Sequence, residues 1–124
     1  MTRPTDADAP GQPSTLPLFI YGSLRDPGLR DFLFGERPDL ATRPATLRGF
    51  SRHHSDAIGY PFVIPDAEAQ VEGELLYGLR ADDYVVIDAY EDVADGLYAR
   101  VQVTVEAEVG PVAAWTYVKG PNAP

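Results

Sequence analysis

Apolar positions along the chain divide it into short, well-punctuated elements. Leu18-Phe19-Ile20-Tyr21 is a nearly continuous apolar run, as a buried strand requires, and Gly22-Ser23 breaks it. Asp26-Pro27-Gly28 reads as a turn and helix start, with Leu29, Phe32 and Leu33 at helical spacing before Gly35 stops the helix. Ala45 to Phe50 reads as a strand and residues 51–60 as loop. From Gln70 to Leu79 the pattern alternates, with Val71, Gly73, Leu75, Tyr77 and Leu79 on one face. Asp82 to Glu91 has the spacing of a short helix. From Leu97 to Val109, Leu97, Ala99, Val101, Val103, Val105 and Ala107 alternate with Tyr98, Arg100, Gln102, Thr104, Glu106 and Glu108. Gly110-Pro111 then turns the chain so that Ala113 to Val118 returns antiparallel. At least five strands, two short helices and little βαβ alternation predict an α+β fold whose mixed, strongly curved sheet can close as a barrel. Residues 1–15 are Pro-rich, polar and without periodicity. They are expected to form a disordered tail ahead of one folded domain over residues 16–120.

Composition narrows the function classes. With 124 residues and 44% hydrophobic content there is one domain and enough apolar surface for a core. No apolar run approaches the roughly 20 residues of a membrane span, and the N-terminus lacks the basic start and apolar stretch of a signal peptide. Cytoplasm is therefore the expected location. Zero cysteines exclude disulfides, a thiolate nucleophile and a cysteine metal site. The net charge is −9, and residues 66–108 carry twelve acidic side chains against only Arg80 and Arg100. So acidic a half repels phosphate backbones, which argues against a nucleic-acid partner. A monomer is expected at this size and acidity.

Two features carry candidate chemistry. Helical spacing puts Tyr84, Ile87 and Glu91 on one stripe, so Glu91 should be partly desolvated. It also falls at a helix C-terminus, where the macrodipole disfavours negative charge, one turn after Asp88. All three effects raise the pKa of Glu91 toward neutrality, which suits a general acid/base. The competing reading is a rotated helix that leaves Glu91 in solvent beside Asp92. The second feature is Gly22-Ser23, where a strand ends in a turn whose amides could hold an anion or a polarised oxygen. The competing reading there is a plain strand-to-helix turn. Ser23, His53, His54 and the aspartates do not make a hydrolase triad, because no G-x-S-x-G elbow is present. His53 and His54 are adjacent and, in an extended stretch, point to opposite sides, so they cannot chelate one metal. Tyr98 follows the Glu91 helix, where its phenol could hydrogen-bond Glu91 or a ligand.

The order of these pieces resembles the γ-glutamylcyclotransferase-like superfamily, especially the AIG2-like branch that includes γ-glutamylamine cyclotransferases. The matching segments are Phe19-Ile20-Tyr21-Gly22-Ser23-Leu24, Tyr60-Pro61-Phe62-Val63-Ile64-Pro65, Val71-Glu72-Gly73-Glu74-Leu75, Ile87-Asp88-Ala89-Tyr90-Glu91, Tyr98-Ala99-Arg100-Val101-Gln102-Val103 and Ala114-Trp115-Thr116-Tyr117-Val118. The resemblance covers roughly residues 17–119, and it is the ordered set, more than any one motif, that is specific. The resemblance implies a small mixed β-barrel with a few flanking short helices. It implies that Tyr21, Gly22, Ser23 and Leu24 bind the γ-glutamyl part of a small-molecule substrate, and that Glu91 is the catalytic carboxylate. No cofactor or metal is implied. The products would be 5-oxoproline and a free amine or amino acid. The family often has Gly after this Glu, where Asp92 stands here, which leaves substrate preference open. Two alternatives remain at this point. One is a non-catalytic small-ligand-binding or regulatory module on the same fold. The other is an amide hydrolase or a dedicated lyase acting on a γ-glutamyl-protected intermediate.

Overall fold

In the computed structural model the described residues are 16–54 and 61–123. The expected N-terminal tail, the end of the expected 51–60 loop and Tyr60 of the middle motif lie outside them.

The chain forms β1 (Leu18–Ile20), a 3-10 turn (Ser23–Arg25), α1 (Pro27–Phe34), β2 (Ala41–His54), β3 (Pro61–Tyr77), α2 (Ala81–Tyr90), β4 (Tyr98–Ala107) and β5 (Gly110–Lys119). The five strands close into a barrel in the order β1-β3-β2-β4-β5. Neighbours are antiparallel except β1 and β5, which run parallel where Leu18 meets Trp115. This is the mixed barrel with flanking helices that the sequence predicts. No helix among the described residues is long and apolar enough to cross a membrane.

Two apolar layers hold the fold. Phe19, Tyr21, Leu47, Val63, Val71, Leu75, Val105 and Ala114 fill the barrel interior. Leu18, Ile20, Leu76, Tyr84, Ile87, Tyr98 and Tyr117 form a second cluster between the barrel wall and α2. β1 contributes to both layers because successive side chains of a strand alternate faces, and burial on both faces requires an unbroken apolar run.

Several local expectations change. β2 extends to His54, so residues 51–54 are strand and not loop; Ser51, Arg52, His53 and His54 pair with Ile64, Val63, Phe62 and Pro61. The long β2–β3 hairpin was hidden by Pro65 and the polar stretch after it. Gly49, at φ 84, bulges β2, and the register jumps from Arg48↔Gln70 to Phe50↔Pro65. Residues 66–69 bulge out of the ladder, which accommodates a proline that cannot donate a hydrogen bond to it. The β4–β5 turn is Glu108-Val109, since Gly110 and Pro111 already pair with Ala107 and Glu106. On α1, Asp26 caps the N-terminus by accepting from the Gly28 N–H (3.0 Å) and Gly35 ends the helix. Only Leu29, Leu33 and Phe34 pack on the core, while Phe32 is 84% exposed. Leu79 is buried beyond the end of β3, after Gly78 at φ 100 turns the chain away from the ladder.

Candidate active site

The C-terminal end of β1 delivers the chain to one mouth of the barrel. Tyr21 is buried inside that mouth and its hydroxyl donates to the Tyr117 carbonyl (2.5 Å). Gly22 then leads into the 3-10 turn, where no side chain caps the leading amides. A Cβ at Gly22 would stand 3.0 Å from Pro61 Cγ, so glycine keeps the gap between turn and opposite wall open. Leu24 is buried and anchors the turn, whereas Ser23 is exposed. The Ser23 hydroxyl lies 3.1 Å from the Tyr90 hydroxyl, which ties the turn to the last residue of α2.

Glu91 is the C-terminal cap of α2, its N–H bonded to the Ile87 carbonyl (2.8 Å). It continues the stripe of Tyr84 and Ile87, both buried, and is itself half-buried. Burial, and then the charge of Asp88, push its carboxyl up to about 7. Among the described residues no hydrogen bond or ion pair holds the carboxylate. The helix does not rotate Glu91 out to water because the chain leaves α2 through a Schellman motif. The Val93 N–H reaches the Asp88 carbonyl (3.0 Å) and the Asp92 N–H reaches that of Ala89 (3.2 Å).

That motif accounts for Asp92. The residue after the cap must adopt a left-handed conformation, and Asp92 does so at φ 58. Glycine reaches this region without a steric cost, and Asp or Asn are the next most tolerant residues. The Asp92 side chain is exposed, and its neighbour in charge is Asp95, which raises its pKa. Asp92 is therefore a backbone choice, and Asp88 rather than Asp92 supplies the like charge felt at Glu91. Asp92→Gly is expected to raise the Tm by on the order of 4 °C with turnover intact. A scanning-calorimetry trace with an unchanged or lower Tm would refute the strain argument.

Behind Glu91 lies a polar cluster that sequence reasoning missed. Arg100 donates to both oxygens of Asp88, Nε at 3.0 Å and a terminal nitrogen at 3.3 Å. The Tyr117 hydroxyl donates to the same carboxylate (2.6 Å). The guanidinium sits 4.7 Å from the ring centroids of both Tyr84 and Trp115. Alternation alone put Arg100 and Tyr98 on the solvent face of β4, but α2 covers that end of the strand, so Tyr98 is buried and Arg100 half-buried. The signal that could have found the cluster is Arg100 itself, one of two cations in the acidic half of the chain. The Tyr98 hydroxyl donates to the Pro61 carbonyl (2.7 Å), pinning the opposite wall. Burial holds Tyr117 and Tyr21 above the usual phenol range, assisted at Tyr117 by its bond to Asp88 and at Tyr21 by Tyr98 and Glu91, so both stay neutral donors.

These groups enclose a small cleft, open to solvent, lined by Tyr21, Gly22, Ser23, Leu24, Glu91 and Tyr98 together with Phe19, Ile20, Pro61 and Tyr117. All six residues singled out from the sequence thus meet at one place. The two histidines do not join them as a pair: His53 stacks on Phe62 and hydrogen-bonds Ser51, while His54 lies on the other face of β2 opposite Pro61.

Comparison with known proteins agrees with this arrangement. A family model described as gamma-glutamyl cyclotransferase, AIG2-like, matches residues 18–124. AIG2-like protein C of Arabidopsis thaliana is 37% identical over 76 residues, which are 61% of this chain and 43% of that protein. The chain spans about half the length of the AIG2-like relatives it matches. An Arabidopsis thaliana protein solved in solution superposes with a TM-score of 0.73 at 30% identity, over 88% of this chain and 71% of that one. A solved gamma-glutamyl cyclotransferase superposes with a TM-score of 0.68 over 84% of this chain and 66% of that one, and at 17% identity it shows the fold alone. With a match over nearly all the described residues, on a barrel of the same fold, the chain belongs to the AIG2-like γ-glutamyl cyclotransferase family.

Proposed function

We propose that the protein is a γ-glutamyl cyclotransferase that converts a γ-glutamyl amine or γ-glutamyl amino acid to 5-oxoproline and the free amine, with Glu91 as general acid/base. The observation that carries this reading is a carboxyl with a pKa near 7 that lines a small cleft together with the leading amides of the Gly22–Leu24 turn.

The chemistry follows from those groups. The substrate's carboxylate and γ-carbonyl face the Gly22, Ser23 and Leu24 amides, and its α-ammonium faces Glu91. Glu91 takes a proton from the ammonium. The freed nitrogen attacks the γ-carbon, a C–N bond forms, and a five-membered ring closes. Turn amides stabilise the oxyanion of the tetrahedral intermediate. Protonated Glu91 then gives its proton to the departing nitrogen as the original amide bond breaks, and the regenerated carboxylate takes the second proton from the ring nitrogen and passes it to the freed amine, leaving a neutral lactam and an ammonium product. A carboxyl whose pKa matches the working pH can serve both steps. Because the reaction is intramolecular, most of the protein's contribution is to hold the amine over the carbonyl. Neutral Tyr21 and Tyr117 wall the site with phenols that add no competing charge.

The test is to incubate the protein with γ-glutamyl amines, γ-glutamyl amino acids and glutathione and to measure 5-oxoproline by mass spectrometry beside Glu91→Gln. Release by the wild type alone is expected. Glutamate in its place would make the protein a hydrolase, and neither product would make it a binding module.

Asp88 should tune the reaction. It lies one turn before Glu91 and its charge raises the Glu91 pKa. Asp88→Asn is expected to move the rising limb of the kcat/KM against pH profile to lower pH, since the base would ionise more readily. A limb that stays in place would show that the Asp88 charge, held by Arg100 and Tyr117, is not felt at the base.

A further inference from the structure

With a glutamyl group against the turn and Glu91, the departing half of the substrate would face the mouth of the cleft, on the side of Arg52 in β2. In β2, Arg52 is paired with Val63, and directly opposed residues of an antiparallel pair share a face. Val63 is fully buried in the barrel interior with Phe19 and Tyr21. Arg52 therefore stands on the face of the hairpin that overhangs Tyr21. The next pair on that face is His54 with Pro61, and Pro61 is a wall of the cleft. The charge of Arg52 is felt at the Tyr21 hydroxyl, where it opposes the upward shift. Of the other basic groups of this region, His54 shares that face one pair further on, while His53 and Lys119 lie against the Phe62 ring on the opposite face.

Arg52 is also uncommitted. Arg25, Arg37, Arg48 and Arg100 are each held by a carboxylate, at Glu74, at Asp39 and Asp83, at Glu106 and at Asp88. Arg52 is exposed and has no carboxylate partner among the described residues, in a chain with 19 acidic side chains to 10 basic. Among the residues lining the cleft only Glu91 is an acid, and the reaction occupies it. A guanidinium left free at such a mouth is matched by a planar anion.

We propose that Arg52 receives a carboxylate on the leaving half of the substrate, so that the preferred substrates are γ-glutamyl amino acids or short γ-glutamyl peptides rather than γ-glutamyl derivatives of uncharged or cationic amines. This rests on the cyclotransferase reading above. The γ-glutamyl carboxylate is common to every candidate substrate and is taken by the Gly22–Leu24 turn, so only the leaving half distinguishes them.

A matched pair of substrates tests it. γ-Glutamylalanine and γ-glutamylethylamine differ only in the leaving-group carboxylate. The wild type is expected to favour the first at least tenfold in kcat/KM, and the preference should shrink with added salt because the contact is exposed. Arg52→Gln should lower kcat/KM for γ-glutamylalanine about tenfold, with a much smaller loss on γ-glutamylethylamine, and Arg52→Lys should recover part of it. Equal rates on the two substrates in the wild type, a preference that survives Arg52→Gln, or an equal loss on both would each overturn the proposal. If neither substrate yields 5-oxoproline, the cyclotransferase reading fails while Arg52 is still judged, by titration calorimetry on Glu91→Gln. Tighter binding of γ-glutamylalanine that disappears on adding Arg52→Gln supports Arg52. Equal binding, or no binding of either compound, overturns it.

Discussion

Glu91→Gln is expected to lower turnover by on the order of 10³ while making the folded protein more stable above neutral pH. The two effects share one cause. Burial, reinforced by Asp88, raises the Glu91 pKa from 4.5 to about 7 in the folded state. Below pH 4.5 the carboxyl is protonated in both the folded and the unfolded chain and contributes nothing. Between those values the unfolded chain ionises while the folded one retains its proton. The penalty therefore grows as pH rises and is complete above about 7. Discounted for the part of the carboxyl that water still reaches, it amounts to about 2 kcal/mol. Glutamine removes the charge and keeps the shape. Denaturant titrations of the two proteins should thus coincide near pH 4 and separate in favour of Glu91→Gln at pH 8. Retained 5-oxoproline release would remove Glu91 from the mechanism. A variant no more stable at pH 8 would mean that the carboxylate is well solvated, and the argument for its raised pKa would fall with it.

Gly73→Ala is expected to cost about 3 kcal/mol, at the upper end of ordinary overpacking, and to lower the Tm by on the order of 10 °C. A Cβ at Gly73 would lie 2.4 Å from the Ile20 carbonyl oxygen and 2.7 Å from Phe19 Cζ. The first of these is backbone of the strand that leads into the Gly22–Leu24 turn, so relief requires β1 to move. Such a shift would carry Tyr21 and Gly22 with it, and activity should fall further than the fraction of folded protein. Gly28→Ala is the control, because its Cβ would meet only Asp26 Oδ1, at an ordinary 3.4 Å, inside a helix where alanine is favoured. A Tm for Gly73→Ala within a degree or so of wild type would show that β1 and β3 do not approach so closely.

The sequence alone determined what depends on local pattern. An unbroken apolar run meant that β1 is covered on both faces, and strict alternation meant a β4–β5 hairpin. Helical spacing placed Glu91 on the stripe of Tyr84 and Ile87. Glycine marked the end of β1 and the end of α1. These are properties of neighbouring residues, and side-chain periodicity expresses them directly. The ordered motifs added the barrel and pointed to the Gly22–Leu24 turn.

Tertiary structure decided everything that depends on what covers a face. The solvent face of β4 looked uniformly polar, yet α2 lies over its first residues, which buries Tyr98 and turns Arg100 into a clamp on Asp88. The length of β2 and β3 depended on a register shift at Gly49, opposite which residues 66–69 leave the ladder while Pro65 pairs with Phe50, and no local propensity announces such a pairing. Asp92 stood where the resemblance led one to expect glycine. Its left-handed φ and outward side chain make it the end of a helix. Arg52 read as loop, and only its register with Val63 places it on the face of β2 that Val63 shares, where its charge is felt at Tyr21. Burial, charge pairing and pKa are sums over neighbours distant in the chain, so they become legible only once the barrel has closed.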